Sequence, residues 1–239
     1  MKYHLILIFF SLIPCSLCLC QNNMPVNKND FSIAFGVNYI TSASIQLNPF
    51  SSDIIKRNMT EDINGGYGIG ITIKKKILFD NFYISLSSEY INLKDENNFE
   101  TLSFDTSFVN FGVREELKVI PIEAAIIYKL PEFFRNFNIY IGGGAGIYIG
   151  DRKRTLYRIQ TTTIEKKIDL NLNVLMGMEY LLSNNISAFF EVKFREGRYE
   201  VKSKYPVNTI ELNGIQYAFN PDIHSKILIS TNHFFVCDL

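Results

Sequence analysis

Between Ile168 and Leu182 every even-numbered residue is apolar: Ile168, Leu170, Leu172, Val174, Met176, Met178, Tyr180 and Leu182. The odd positions open with Asp169, Asn171 and Asn173 and include Gly177, Glu179 and Ser183. Successive side chains of a strand point to opposite faces, so this stretch is one strand with a single, wholly apolar face. It is far longer than the usual soluble strand of about five or six residues. The pattern then repeats. Ile186, Ala188, Phe190, Val192 and Phe194 alternate with Ser187, Phe189, Glu191, Lys193 and Arg195, and only Ser183-Asn184-Asn185, a hairpin-turn composition, lies between the two runs.

The same reading yields eight segments, roughly 31–40, 65–75, 81–93, 116–130, 137–150, 168–182, 186–200 and 224–236. Their connections alternate. Those near 76–80, 131–136 and 183–185 are short, whereas those near 41–64, 94–115, 151–167 and 201–223 are long. A soluble sandwich has no reason to alternate in this way. An all-β, eight-stranded antiparallel up-and-down transmembrane β-barrel does, with short periplasmic turns and four long extracellular loops. A spanning strand needs about nine to eleven residues, and the segments have that length, the first at the margin.

Composition agrees. A chain of 239 residues with 47% hydrophobic residues can bury a core and is too apolar for disorder. Twenty Phe, thirteen Tyr and no Trp favour pleated strands. With 24 basic and 24 acidic side chains there is no basic surplus for nucleic acid, so none is expected as a partner. Residues 1–20 differ from the rest: Lys2, an apolar run from Leu5 to Ile13, and Cys18-Leu19-Cys20 read as a signal peptide cut before Gln21, with a lipoprotein anchored through Cys20 as the rival. Residues 21–30 are then a short periplasmic segment and 31–239 the barrel. Cleavage leaves Cys237 alone of the four cysteines, so no internal disulfide is expected.

The apolar faces end in rings. Phe31, Phe82, Tyr128, Phe137 and Tyr180 fall near the periplasmic rim, and Tyr39, Tyr67 and Tyr90 near the other, as two aromatic girdles would. The opposite faces gather Glu89, Glu123, Lys129, Asp169, Glu179, Glu191, Lys193 and Arg195. Facing lipid, an Arg or Lys at mid-membrane would cost roughly 2–4 kcal/mol. Facing inward they can pair, so a lumenal ion-pair network is expected, in a bore that side chains fill.

The whole of 31–239 resembles the small bacterial outer-membrane barrels of the OmpA/OmpX/OmpW type. The resemblance is carried by Ile139-Tyr140-Ile141-Gly142-Gly143-Gly144-Ala145-Gly146-Ile147-Tyr148, by Gly177-Met178-Glu179-Tyr180 and by Phe190-Glu191-Val192-Lys193-Phe194. It implies a monomer in the outer membrane of a Gram-negative-type bacterium, inserted by the barrel-assembly machinery, with a structural or surface-interaction role through its loops. An OmpW-like narrow pore is the alternative. One departure is the terminus: such chains end on an aromatic residue, and here Leu239 is last with Phe235 four back.

Chemistry has few candidates. Gly142 to Gly146 lacks the following Lys-Ser/Thr of a phosphate loop, and glycines here make room for long lumenal side chains such as Arg195. Lipid-modifying enzymes on such barrels pair a His with a Ser near the rim. His224 and Ser225 are adjacent, hence on opposite faces, and His233 has no acid nearby in sequence. No enzyme activity, cofactor or metal is expected. The third loop is basic, and Arg152, Lys153 and Arg154 are expected to meet lipopolysaccharide phosphates. Within the fourth, Thr209 to Phe219 with Asn213-Gly214 at its centre reads as a projecting type I′ hairpin too short to span.

Overall fold

A computed structural model describes residues 31–77, 81–104, 107–131, 136–183, 186–229 and 232–238. The signal peptide and the segment 21–30 lie outside the described residues. The elements in chain order are β1 (Phe31–Gln46), a short helix α1 (Ile54–Arg57), β2 (Thr60–Lys76), β3 (Phe82–Phe104), β4 (Ser107–Lys129), β5 (Phe137–Leu156), β6 (Ile159–Gln160), β7 (Thr162–Ile168), β8 (Leu170–Leu181), β9 (Ser187–Arg195), β10 (Gly197–Lys204), β11 (Thr209–Leu212), β12 (Ile215–Ala218), β13 (Asp222–Ile229) and β14 (Asn232–Asp238).

The wall strands pair antiparallel in chain order, β1-β2-β3-β4-β5-β8-β9-β14, and β14 pairs back onto β1 from Ala34↔Asp238 to Ile40↔Asn232. The ring is therefore closed, with no free edge at this level. Three walls are interrupted strands. β7 continues into β8, β9 into β10 and β13 into β14, so the eight segments read from sequence are the eight walls. Higher up, β13 replaces β14 beside β1, β10 pairs β13, and β7 pairs β10.

The walls are taller than their apolar faces. β3 and β4 each run 23 residues and pair up to Phe104↔Ser107. The expected long loop 94–115 is thus almost entirely hairpin. Likewise β1 extends to Gln46 and β5 to Leu156, so the regions read as loops are mostly strand. Between β5 and β7 the upper wall is laced differently: Thr161 N–H donates to Arg154 O at 2.9 Å, Thr163 Oγ1 to Arg152 O at 3.3 Å, and Lys166 pairs with Asp151 at 2.6 Å. The hairpin β11-β12 has its tight turn at Asn213 (φ 53°) and Gly214 (φ 80°). It does not project, because Ile210 and Tyr217 are buried against Leu102, Phe111, Val113, Leu156 and Tyr205 and cover the upper mouth. Its arms alternate, and the apolar side of so short a hairpin is satisfied only by folding inward.

The polarity of both faces reverses part-way up each wall. On β3 the inward residues are Ser85, Ser87 and Glu89, then Ile91 and Leu93, all buried. Outward on the same strand are Ile84, Leu86 and Tyr90, then Lys94 and Glu96. On β4 the outward face runs Tyr128, Ile126, Ala124, Ile122, Ile120 and turns polar at Lys118. On β8 it is bare hydrocarbon, with Leu170 75% and Leu172 71% exposed. The rise from Lys118 to Tyr128 is about 33 Å along a strand, or about 25 Å vertically at the ~40° tilt usual for barrels, which matches the apolar band of an outer-membrane barrel. Below the reversal the outside must be lipid and the interior polar. Above it the outside is water and the interior an ordinary apolar core of Ile40, Ile45, Ile63, Ile91, Leu93, Leu117, Val119, Ile227 and Ile229.

Closure also depends on β5's glycines. A Cβ on Gly144 would lie 2.0 Å from the backbone oxygen of Ala124, which cannot move out of the way, whereas one on Gly112 meets nothing within 4 Å. Gly144→Val is therefore expected to abolish the SDS-resistant, heat-modifiable form of the refolded protein. Gly112→Val is expected to leave it intact, and equal gel mobility shifts in the two variants would contradict this packing.

Candidate functional site

The lower bore collects cations and carboxylates from five walls. Alternation aims them inward: on β9 and β10, Ser187, Phe189, Glu191, Lys193, Arg195, Gly197, Tyr199, Val201 and Ser203 all face the interior. At the centre Lys193 Nζ lies 3.1 Å from Glu89 and 3.0 Å from Glu123, and 3.8 Å from Glu191. Arg195 donates to both oxygens of Glu89, at 2.7 and 3.0 Å, and its Nε lies 3.3 Å from Glu123. Tyr148 donates to Glu123 at 2.5 Å and Tyr140 to Glu191 at 2.9 Å. One layer down, Lys129 meets Glu179 at 2.7 Å and Ser187 donates to the other oxygen of Glu179 at 2.9 Å. Lys74, buried, sits over the rings of Phe189 and Tyr140 at 4.3 and 4.7 Å.

Lys74, Lys129, Lys193 and Arg195 thus stand against Glu89, Glu123, Glu179 and Glu191, four charges of each sign. In a low-dielectric bore an unmatched charge costs several kcal/mol, so balance and hydrogen bonding decide whether the set can exist. Asp169 is not among them. It occupies the break between β7 and β8, half-buried, where its backbone carbonyl accepts from Asn171 Nδ2.

Tyrosines, which sequence reasoning left out of the bore, fill the space above the glycines. A Cβ on Gly177 would lie 2.4 Å from Tyr140, one on Gly197 2.6 Å from Tyr148, and one on Gly150 2.6 Å from Tyr199. These inward glycines receive rings, whereas Gly142, Gly144 and Gly146, expected to make room for Arg195, lie against the β4 backbone, with Gly146 also against the Glu123 side chain. Gly150 shares the inward parity of Tyr140 and Tyr148 on β5, and Gly177 and Gly197 share that of Glu179 and Tyr199 on their own strands, which is the signal the sequence offers. Ala125, Ile127, Tyr140 and Leu175 form a second apolar layer, with Ile127 two residues from Lys129 along β4.

Above the apolar core lies a second charged layer. Arg152 is 0% exposed and bonds both oxygens of Glu115, at 3.0 and 2.7 Å, and also Ser225. Arg154 reaches Glu115 at 2.7 Å, Glu61 at 2.9 Å and Glu100 at 3.3 Å. Burial alone would lower the Arg154 guanidinium, but Glu115, Glu61 and Glu100 outweigh it and hold its pKa above the ordinary value. The assignment of Arg152 and Arg154 to lipopolysaccharide is therefore overturned. Both share the inward face of β5 with Tyr148, and only Lys153 looks outward, exposed. The β5 wall continues as strand at this height, paired with β4 as far as Val113↔Leu156, so its inward parity runs on through Arg152 and Arg154.

The ring side chains lie at the two ends of the apolar band. Tyr39 and Tyr67 are cross-strand partners with centroids 5.2 Å apart, and Tyr90 pairs with Ile69 on the next wall. At the other end Phe82 stacks on Tyr128 at 4.9 Å, Phe137 is opposite Tyr180, and Phe31 is opposite Lys75. His224 rests outward against Phe50, with ring centroids 6.1 Å apart, while Ser225 is buried on the other face. The side chain of His233 lies outside the described residues. No cluster of three His, Cys, Asp or Glu side chains able to hold a metal occurs among the described residues.

No family model matches the sequence, and no curated protein matches it. Solved structures similar to the chain are outer-membrane barrels. Neisserial surface protein A aligns at 13% identity and TM-score 0.43, covering 87% of this chain and 97% of its own. The outer-membrane protease OmpT of Escherichia coli aligns at 6% identity and TM-score 0.47, with 91% and 98% covered. The attachment invasion locus protein Ail of Yersinia pestis aligns at 10% identity and TM-score 0.36, with 87% and 97% covered.

Removing one partner of the central network isolates a buried charge. Arg195→Met is expected to cost about 3–5 kcal/mol of unfolding free energy in detergent micelles, because Glu89 loses its paired donors. Arg195→Met combined with Glu89→Met should recover much of that loss. Urea titration checks both, and a double variant no more stable than the single one would contradict the pairing.

Proposed function

We propose that the protein is an integral outer-membrane β-barrel whose bore is sealed by side chains and whose role is structural or interactive, exercised at its extracellular surface. The observation that carries this reading is the stack of layers across the bore. The apolar layer at Ile127 and Leu175, the Lys193/Arg195/Glu89/Glu123 network, the Ile91/Leu117/Ile227 core, the Arg152/Glu115/Arg154 layer and the β11-β12 cap follow one another up the bore, each made of packed or paired side chains. A narrow pore, the alternative, needs a continuous aqueous path, and each apolar layer opposes one. A lipid-modifying enzyme needs a positioned base and nucleophile, and the outward His224 and inward Ser225 do not supply that pair.

On this reading the partners are outer-membrane lipids, lipopolysaccharide and the barrel-assembly machinery, and the tall hairpins, more than flexible loops, form the surface presented outward. Exposed Phe99 and Phe108 on the β3–β4 hairpin and Ile54 and Ile55 in α1 make that surface partly apolar, as contact surfaces are.

Planar-bilayer recording tests the seal. The wild-type protein should give no steady conductance. Truncating the network with Lys193→Ala and Arg195→Ala, together with deletion of 209–218, should produce discrete openings. Steady channels from the wild-type barrel would contradict the proposal in favour of the pore.

A further inference from the structure

We propose that Lys94, Lys118 and Lys153 form an outward-facing site for the phosphate of an anionic lipid headgroup. The inference rests on the outer-membrane reading above. Strand register assembles the site on three adjacent walls: Lys94 is opposite Glu116 across β3–β4, Glu116 is opposite Lys153 across β4–β5, and Lys118 is opposite Asp151. Strand spacing of about 4.8 Å keeps such neighbours within reach of one phosphate.

The charge there is unbalanced. Glu116 is the one carboxylate shared by the group, 3.2 Å from Lys118 and 3.9 Å from Lys94. Asp151 is taken by Lys166 at 2.6 Å, and the neighbouring Glu96 by Arg114 at 2.8 Å. Three ammonium groups therefore surround a single shared carboxylate, Glu116. At comparable height on other walls the outward charges are more mixed: Asp62 on β2, Arg198 with Glu196, Lys167 with Glu200 at 3.6 Å, and Lys226 opposite the same Glu200.

Height selects a lipid over a free anion. The next outward row below Lys118 and Asp151 is Ile120 and Ile149, then Ile122 and Ile147, the top of the lipid-facing band. A lipid whose chains lie on those isoleucines carries its phosphate to the level of the lysines. Lysine ammonium groups act on phosphate as point charges and need no fixed fork geometry. Glu116 then limits affinity by competing for the same cations.

Native mass spectrometry of the full chain in detergent tests this, with phosphatidic acid, phosphatidylcholine and inorganic phosphate as separate additives. Phosphatidic acid should be retained preferentially. Lys118→Gln with Lys153→Gln should weaken retention on the order of tenfold, whereas Glu116→Gln should strengthen it several-fold, an effect a merely structural Glu116 would not give. Equal retention by wild type and the double variant, or weaker retention by Glu116→Gln, would overturn the site. Displacement by inorganic phosphate at matched concentration would overturn the lipid assignment. Gel mobility of unboiled samples separates the two readings: a chain without a compact form defeats the barrel, while a compact barrel indifferent to phosphatidic acid defeats only the site.

Discussion

Each wall strand of this molecule passes from one outer solvent to another, and its two faces exchange polarity where it does so. In hydrocarbon no backbone group can be left unpaired and no outward charge is tolerated, so the lower ring closes β14 onto β1 and puts its charges inside. In water those demands lapse. The same strands then turn Ile91, Leu93, Leu117 and Val119 inward and Lys94, Glu96, Arg114 and Lys118 outward, as any soluble β structure would. The protein is thus two cores on one continuous frame, one polar and one apolar, joined near the level of Tyr39, Tyr67 and Tyr90.

The polar core persists because it is balanced. Lys193 and Arg195, adjacent on one inward face, would repel each other without Glu89 and Glu123, which reach them across the bore from β3 and β4. Tyr148 and Tyr140 supply the remaining donors to the carboxylates, and inward glycines give those rings room. Charge, hydrogen bonding and ring packing therefore all draw on the same two-residue period, which ties the packing inside the bore to the register of the walls.

That period is also what made the lower barrel legible. The even face of 168–182 and the following hairpin determine side, length and neighbour at once, and the eight segments recur as walls. The upper barrel was harder to read because its alternation inverts: at Lys118 or Asp151 the outward residues become charged, which resembles the start of a loop. Arg152 and Arg154 suffered from this reading, since isolated basic residues in a supposed loop look solvent-exposed. Continuing the parity of Tyr148 upward places them inside. Pairing partners such as Glu115 and Glu61 come from walls distant in sequence, and no local pattern reveals them. The inward fold of β11-β12 was hidden for a related reason, because a turn signal gives a hairpin's shape but not the surface that receives it.

The polarity reversal can be measured along one strand. On a background with Cys237 replaced by Ser, single cysteines at Arg114, Lys118, Ile122 and Ile126, all outward on β4, would be treated in vesicles with a membrane-impermeant maleimide. The account predicts rapid labelling at 114 and 118 and protection at 122 and 126, with protection lost when detergent replaces lipid by a solvent the reagent can enter. Uniform labelling along the strand would mean that the apolar face is not in a bilayer, and the closed transmembrane barrel would be contradicted.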